Sequence, residues 1–139
     1  MNRQIVRHGL VLMLLALVAG MFVQEMPIPR LGLSAHTIGI LSGVLLIALG
    51  AVWRLFTLKP LQQRVMYWSW VYSSYANWLA CLIGAASGAG RMTPLASAGA
   101  TGAAPVEALV AAMLISVVVT ALLATGLSIY GLRSATEAA

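Results

Sequence analysis

Four long apolar segments, separated by short polar or proline-containing stretches, limit most strongly what this chain can fold into. They cover roughly residues 7–23, 34–56, 63–87 and 105–132, and each approaches or exceeds the ~20 residues that a helix needs to cross a bilayer. Charged residues make up only 8% of the chain, and its mean hydropathy of +0.95 is too apolar for a water-soluble domain. The sequence therefore predicts an all-α integral membrane protein, in which residues 1–139 form a single bundle of four transmembrane helices.

The basic residues predict how these helices are oriented. Most of the eight Lys and Arg residues fall at one end of the predicted bundle: Arg3, Arg7, Arg54, Lys59, Arg64 and Arg133. Only Arg30 and Arg91 fall at the other end. Because cytoplasmic loops are enriched in Lys and Arg, both termini are predicted to be cytoplasmic. The scattered charge also argues against binding to nucleic acid, which needs several cations presented together.

The two histidines are predicted to lie at opposite ends of the membrane. His8 opens the first span, and His36 lies near the start of the second, so they cannot ligate one haem or one metal together. At helical spacing His36 shares a face with Gly39 and Gly43. Two interpretations of this face stay open. The glycines either pack helices together as a small-residue pair, or they carry a flat cofactor whose axial ligand is His36.

The third span carries the densest set of polar residues. Ser73, Asn77 and Cys81 follow one another at i+4, and Asn77 lies near the middle of the span, where an amide without partners is most costly. Asn77 either forms a hydrogen bond between helices or orients a polar substrate. Glu107, in the first turn of the fourth span, is expected to interact with the positive end of the helix dipole.

The stretch of residues 84–104 differs from the rest of the chain in composition. It consists mostly of Gly, Ala, Ser, Thr and Pro, and Arg91 and Met92 are the large residues near its start. It is either a flexible outer loop or a loop folded over the mouth of a pocket, since long ordered loops are often functional.

Several short motifs resemble those of a known family. They are Arg7-His8-Gly9, Gly32-Leu33-Ser34-Ala35-His36 with Gly43, Trp70 through Tyr75-Ala76-Asn77-Trp78, and Gly88-Ala89-Gly90-Arg91-Met92-Thr93-Pro94. In this order and spacing, over nearly the whole chain, they resemble the hydroxylaminobenzene mutases, which are small bacterial membrane proteins. The likeness to styrene oxide isomerase is more remote.

The resemblance implies a membrane-embedded isomerase that converts an N-arylhydroxylamine such as hydroxylaminobenzene into the ortho-aminophenol. In the epoxide-opening relative, haem b acts as a Lewis acid and a histidine of the second span is its axial ligand. His36 matches that histidine, and Asn77 matches a shared asparagine. The resemblance thus predicts haem b on His36. The other residues expected in the site are the cofactor contacts Gly39, Gly43 and Arg91, and the catalytic side chains Asn77, Ser73 and Tyr72.

The chain also departs from the epoxide isomerase. Where that enzyme has an asparagine, an aspartate and a tyrosine around its pocket, this chain has Ser42, Ser73 and Cys81, which favours the mutase over epoxide isomerisation. Four short spans leave little interior volume, so the haem is expected near a protomer interface of a homo-oligomer. The rival classes are a small four-helix exporter, disfavoured because the first span lacks a carboxylate, and a non-catalytic membrane subunit.

Overall fold

The computed structural model describes residues 1–133, which form five α-helices joined by turns and loops. The four long helices and the short α4 are α1 (Arg3–Gly20), α2 (Pro29–Val52), α3 (Pro60–Ser87), α4 (Pro94–Ser97) and α5 (Ala104–Gly131). Short 3-10 turns follow α1 at Val23–Glu25 and α2 at Trp53–Leu55. Glu137 lies outside the described residues.

Local capping explains why the first two helices begin earlier than the apolar pattern predicted. The side-chain oxygen of Asn2 accepts hydrogen bonds from the backbone N–H groups of Gln4 and Ile5, at 3.1 and 3.4 Å, so α1 begins at Arg3. Pro29 occupies the first turn of α2, where its fixed φ favours the helix and its missing N–H costs nothing. The same proline therefore begins α2 as well as ending the preceding loop.

Three segments are long and apolar enough to cross a membrane: α1, the stretch Pro29–Leu55 and α5. The chain is therefore a multi-pass membrane protein. The third helix, α3, is as long as α5 but does not join this set, because Ser, Tyr, Asn and Gln side chains lower its hydropathy. Many large apolar side chains of α1 and α5 are exposed, as they are on surfaces that face lipid.

The long helices pack as a row of neighbours in the order α1, α2, α3, α5, with successive helices antiparallel. Within residues 1–133, α5 packs along α3 and makes at most marginal contact with α1 and α2. The starts of α1 and α3 lie at one end of this row of helices, which we call the basic end. The starts of α2 and α5 lie at the opposite end, which we call the linker end.

The stretch between α3 and α5 is ordered and is held by a buried carboxylate. Glu107 is only 7% exposed, and its side chain accepts hydrogen bonds from the backbone N–H groups of Gly102 and Arg91, at 2.8 and 3.2 Å. The hydroxyl of Ser97 donates to the Gly90 carbonyl at 2.9 Å. The sequence predicted only an interaction of Glu107 with the helix dipole. In the structure its carboxylate also connects both ends of the linker to α5 through hydrogen bonds.

Candidate active site

His36, the predicted axial ligand, is half-buried and held in one orientation by α1. Its Nδ1 lies 2.8 Å from the backbone carbonyl oxygen of Ala16, and the ring also contacts Gly20. Because a carbonyl oxygen can only accept, Nδ1 must carry the proton, and Nε2 of the neutral ring keeps its lone pair. Nε2 makes no hydrogen bond to the part of the chain that the structure describes. This arrangement leaves a ligating nitrogen free, and an Nδ1 hydrogen bond to a carbonyl is the usual support for a metal-bound histidine.

The glycine face below His36 is filled by neighbouring helices. A Cβ at Gly43 would lie 2.7 Å from the Gly9 carbonyl oxygen of α1. At Gly39 it would meet the Ala16 methyl group and come within 2.6 Å of Trp78 Cδ1. Both glycines are buried, so they allow α1 and α2 to approach closely. The expectation that a flat cofactor lies directly on this face is not met within the protomer, because helix packing already occupies it.

Trp78 carries an unpaired polar group at this junction. Its side chain is 8% exposed, and its indole nitrogen is the single buried side-chain N or O atom within residues 1–133 that has no hydrogen-bond partner. Such a group costs about 1–3 kcal/mol relative to a paired one. This unpaired donor beside Gly39, one turn from His36, makes Trp78 a candidate site residue, whereas the sequence indicated only an aromatic face at this position. An aromatic run gives no signal of which N–H will lack a partner.

Asn77 and Ser73 lie on one face of α3, one helical turn apart. Ser73 is buried, and its hydroxyl donates to the Trp70 carbonyl of its own helix at 3.2 Å. Asn77 is half-buried, and its amide makes no hydrogen bond to any described residue. Gly39 of α2 lies against Trp78 of α3, and the two helices are antiparallel. His36 precedes Gly39 by three residues, so it lies about 4.5 Å closer to the linker end than Gly39 does. On α3 this level corresponds to Cys81. Asn77 is thus within about one helical turn of the His36 level.

Tyr72 is not brought together with these residues. It lies five residues from Asn77, which places it about 140° away around the helix. Its ring is 45% exposed, and its hydroxyl lies 2.7 Å from the Ser116 hydroxyl of α5. Within one protomer, helical geometry therefore turns Tyr72 away from Ser73 and Asn77, and a joint catalytic role of the three residues stays a prediction.

A groove lies beside Tyr72, between α1 and α3. Its volume is about 1110 Å³, and we call it the α1–α3 groove. Its polar and aromatic lining includes Arg7, His8, Arg64, Tyr67, Tyr72 and Tyr75. The Tyr75 hydroxyl donates to the His8 carbonyl oxygen at 3.0 Å. His36, Gly39, Gly43, Ser73, Asn77 and Arg91 do not line it.

The histidines and the arginines of the linker end lie at or near the ends of the long helices. His8 is near the basic end and His36 beside Gly20, so about 18 Å of α1 separates the two histidines, as the sequence predicted. Arg91 is an exposed residue at the linker end, as is Arg30 at the start of α2. Within residues 1–133 no three His, Cys, Asp or Glu side chains are grouped closely enough to hold a bare metal ion.

The sequence is similar to known proteins over nearly its whole length. The family described as styrene oxide isomerase matches residues 1–133. Hydroxylaminobenzene mutase HabB of Ectopseudomonas oleovorans is 42% identical over 134 residues, which cover 96% of this chain and 82% of that protein. Hydroxylaminobenzene mutase HabA of the same organism is 38% identical over 98 residues, which cover 70% of this chain and 73% of that protein. No solved structure matches the chain.

Proposed function

The chain belongs to the styrene oxide isomerase family and is an intramolecular isomerase, and from this premise we propose that it converts an N-arylhydroxylamine into the ortho-aminophenol. The observation that carries the proposal is the similarity to a hydroxylaminobenzene mutase over 96% of this chain. Hydroxylaminobenzene and 2-aminophenol have the same atomic composition, since the hydroxyl group moves from nitrogen to a ring carbon. The reaction therefore consumes neither oxidant nor reductant.

We propose haem b as the cofactor, with His36 as its axial ligand. The support within this chain is the hydrogen bond from Nδ1 to Ala16, which keeps the lone pair of Nε2 free and leaves it without a partner in the described chain. When bound, ferric haem would supply a Lewis acid for the hydroxylamine oxygen, a role that otherwise requires a proton donor. Because helix packing fills the Gly39 and Gly43 face, the haem would contact His36 from outside the protomer, and Arg91 would pair with a propionate.

Such a position requires a second protein surface to cover the haem. We therefore propose that the enzyme is a homo-oligomer with the active site near a protomer interface. Burial between protomers would exclude bulk water, which would otherwise compete with the departing hydroxyl group for the ortho carbon.

Asn77 and Trp78 are the side chains that we propose to orient the substrate. An amide can donate and accept hydrogen bonds, so Asn77 can bind both the nitrogen and the oxygen of a hydroxylamine. The indole N–H of Trp78 can only donate, which suits the oxygen. The Trp78 N–H is buried without a partner within residues 1–133, so a substrate contact there would not have to displace an existing bond. Ser73, whose hydroxyl is bonded to its own helix, would line the same face.

The test is formation of 2-aminophenol from hydroxylaminobenzene under anaerobic conditions. Membranes that contain the protein should form the product without added nicotinamide, flavin or oxygen, and control membranes without it should not. A well-folded protein that forms no product would contradict the proposal. If the same membranes instead convert styrene oxide to the aldehyde, the family's epoxide chemistry is the better description. Ser42, Ser73 and Cys81 favour the mutase, because they replace the residues around the epoxide isomerase's pocket.

We also propose that α3 is a fourth span and that both termini face the cytoplasm of a bacterial inner membrane. With 28 residues, α3 is about 42 Å long and packs between the apolar helices α2 and α5. Reporter fusions after Ala139 and after Arg64 should report the cytoplasm, and a fusion within residues 96–103 should report the outside. A cytoplasmic signal from that linker would contradict four spans.

A further inference from the structure

The α1–α3 groove is too large for the substrate proposed above. Its volume of about 1110 Å³ exceeds the roughly 300–1,000 Å³ of sites that enclose drug-sized ligands. A single aromatic ring with one substituent would fill only a small part of it. The groove therefore fits a longer occupant.

The lining of the groove is amphipathic along its length. Gln4, Arg7 and Arg64 line its basic end, whereas Leu79 and Met113 line the part farthest from them. Both arginines are exposed, and neither forms an ion pair within residues 1–133. The acids of the described chain, Glu25 and Glu107, both lie at the linker end, so nothing there neutralises the two guanidinium groups.

The length of the groove matches the depth of one lipid leaflet. Arg64 and Leu79 are 15 residues apart on α3, which corresponds to about 22 Å. Half of a bilayer with its headgroup region is roughly 20–22 Å thick. Tyr67 and Trp68 line the groove near its basic end, where interfacial aromatic residues are usually found.

We propose that the α1–α3 groove is a binding site for a phospholipid with an anionic headgroup. Arg7 and Arg64 bind the phosphate, and an acyl chain lies along Val11, Val71 and Leu79. Basic pockets between transmembrane helices commonly bind such headgroups, because the guanidinium charge and the phosphate charge are complementary at the membrane surface. The site is separate from His36 and Asn77, so it does not depend on the proposed reaction.

The test compares phosphatidylglycerol with phosphatidylcholine of the same acyl chains, added to detergent-purified protein and followed by native mass spectrometry. The wild type should retain phosphatidylglycerol preferentially. The double variant Arg7→Gln/Arg64→Gln should bind it roughly ten- to thirty-fold more weakly, since each arginine near the surface contributes about 1 kcal/mol. The control Arg3→Gln/Arg54→Gln removes the same charge at the same end, from exposed residues that do not line the groove. It should bind like the wild type.

A second pair of variants tests the apolar part of the groove without changing charge. Val11→Trp places bulk inside the groove and should lower retention of phosphatidylglycerol, whereas Leu14→Trp, on the lipid-facing side of the same helix, should not. Equal binding of both lipids by the wild type would overturn the proposal, as would equal weakening by the control variants. Loss of oligomers in the groove variants, without a lipid preference in the wild type, would instead assign the groove to a second copy of this chain.

Discussion

The α1–α3 groove and the region where α2 meets α3 differ in how deeply their unpaired polar groups are buried. The two guanidinium groups that line the groove have no ion pair in the described chain, but they are exposed. In the groove, the hydroxyl of Tyr75 donates to a backbone carbonyl oxygen and that of Tyr72 is bonded to the Ser116 hydroxyl. In the α2–α3 region, which we define by His36, Asn77 and Trp78, the indole nitrogen of Trp78 is buried without a partner within residues 1–133. Lipid makes unpaired polar groups costly, so those that persist need a reason beyond packing.

This difference indicates which region carries the chemistry. Groups that already have partners in the chain stabilise the fold, and a substrate would have to break those bonds to use them. Groups without partners are available to a ligand at no such cost, and their free energy penalty is relieved when the ligand binds. We therefore propose that the reaction takes place in the α2–α3 region and that the groove has a structural or lipid-binding role. The following variants test that division.

The largest effect is expected for His36→Ala. The variant should lose the haem Soret band and all activity above background, because the proposed axial ligand is gone, while the protein remains in the membrane. His8→Ala is the matched control, since His8 lines the groove, and it should keep the chromophore. A normal haem spectrum in the His36 variant would remove the ligand assignment.

Trp78→Phe is expected to separate activity from stability. The change keeps most of the aromatic ring but removes an N–H that is buried without a partner. The free energy of unfolding in detergent should therefore stay equal or rise by about 1 kcal/mol. Turnover should fall roughly tenfold, because a neutral hydrogen bond to the substrate, which contributes about 1.4 kcal/mol, is lost. Unchanged turnover together with higher stability would show that the unpaired N–H has no role in the reaction.

Arg91→Gln is expected to lower haem retention several-fold during purification. Its guanidinium group is exposed at the linker end and pairs well with carboxylates such as haem propionates. Arg54→Gln, an equal charge change at the basic end, is the control and should retain haem like the wild type. Equal haem loss in both variants would point to a general effect of charge.

The smallest effect on activity is expected for Tyr72→Phe. This change removes the hydroxyl that lies 2.7 Å from Ser116 and should destabilise the protein by about 0.6 kcal/mol, as hydrogen bonds between membrane helices do on average. Turnover should change less than threefold, which an anaerobic rate assay would measure. A hundredfold loss would place Tyr72 in the active site, contrary to its position around α3.

Much of the fold could be predicted from the sequence, because apolar runs and prolines act locally. The predicted starts of the third and fourth spans, at residues 63 and 105, lie within three residues of the starts of α3 at Pro60 and α5 at Ala104. Asn2 was missed, since an asparagine near a chain start resembles any other polar residue until its N–H partners are known. Which helices pack against one another could not be predicted from the sequence either. The approach of Gly9 to Gly43 depends on which helix lies opposite, and the side-chain pattern does not show this.

The site was predicted less completely than the fold. His36 and Asn77 could be selected because a histidine and an asparagine in an apolar helix are conspicuous. Their free nitrogen and amide, however, follow from where α1 and α3 lie. Glu107 accepts hydrogen bonds from backbone N–H groups of the linker. Such partners cannot be identified from the pattern of side chains in the sequence.

The activity of Asn77→Leu tests the central claim most directly. Leucine keeps the apolar bulk of the side chain but removes the amide that has no partner in the described chain. The measurement follows 2-aminophenol formed from hydroxylaminobenzene by purified protein under anaerobic conditions, with haem content and thermal stability recorded for each sample. Turnover about 100-fold below the wild type, with both controls unchanged, is the result we predict, since loss of one well-placed hydrogen bond costs that much in other enzymes. Full turnover in this variant would contradict the assignment and leave Asn77 as a contact between helices.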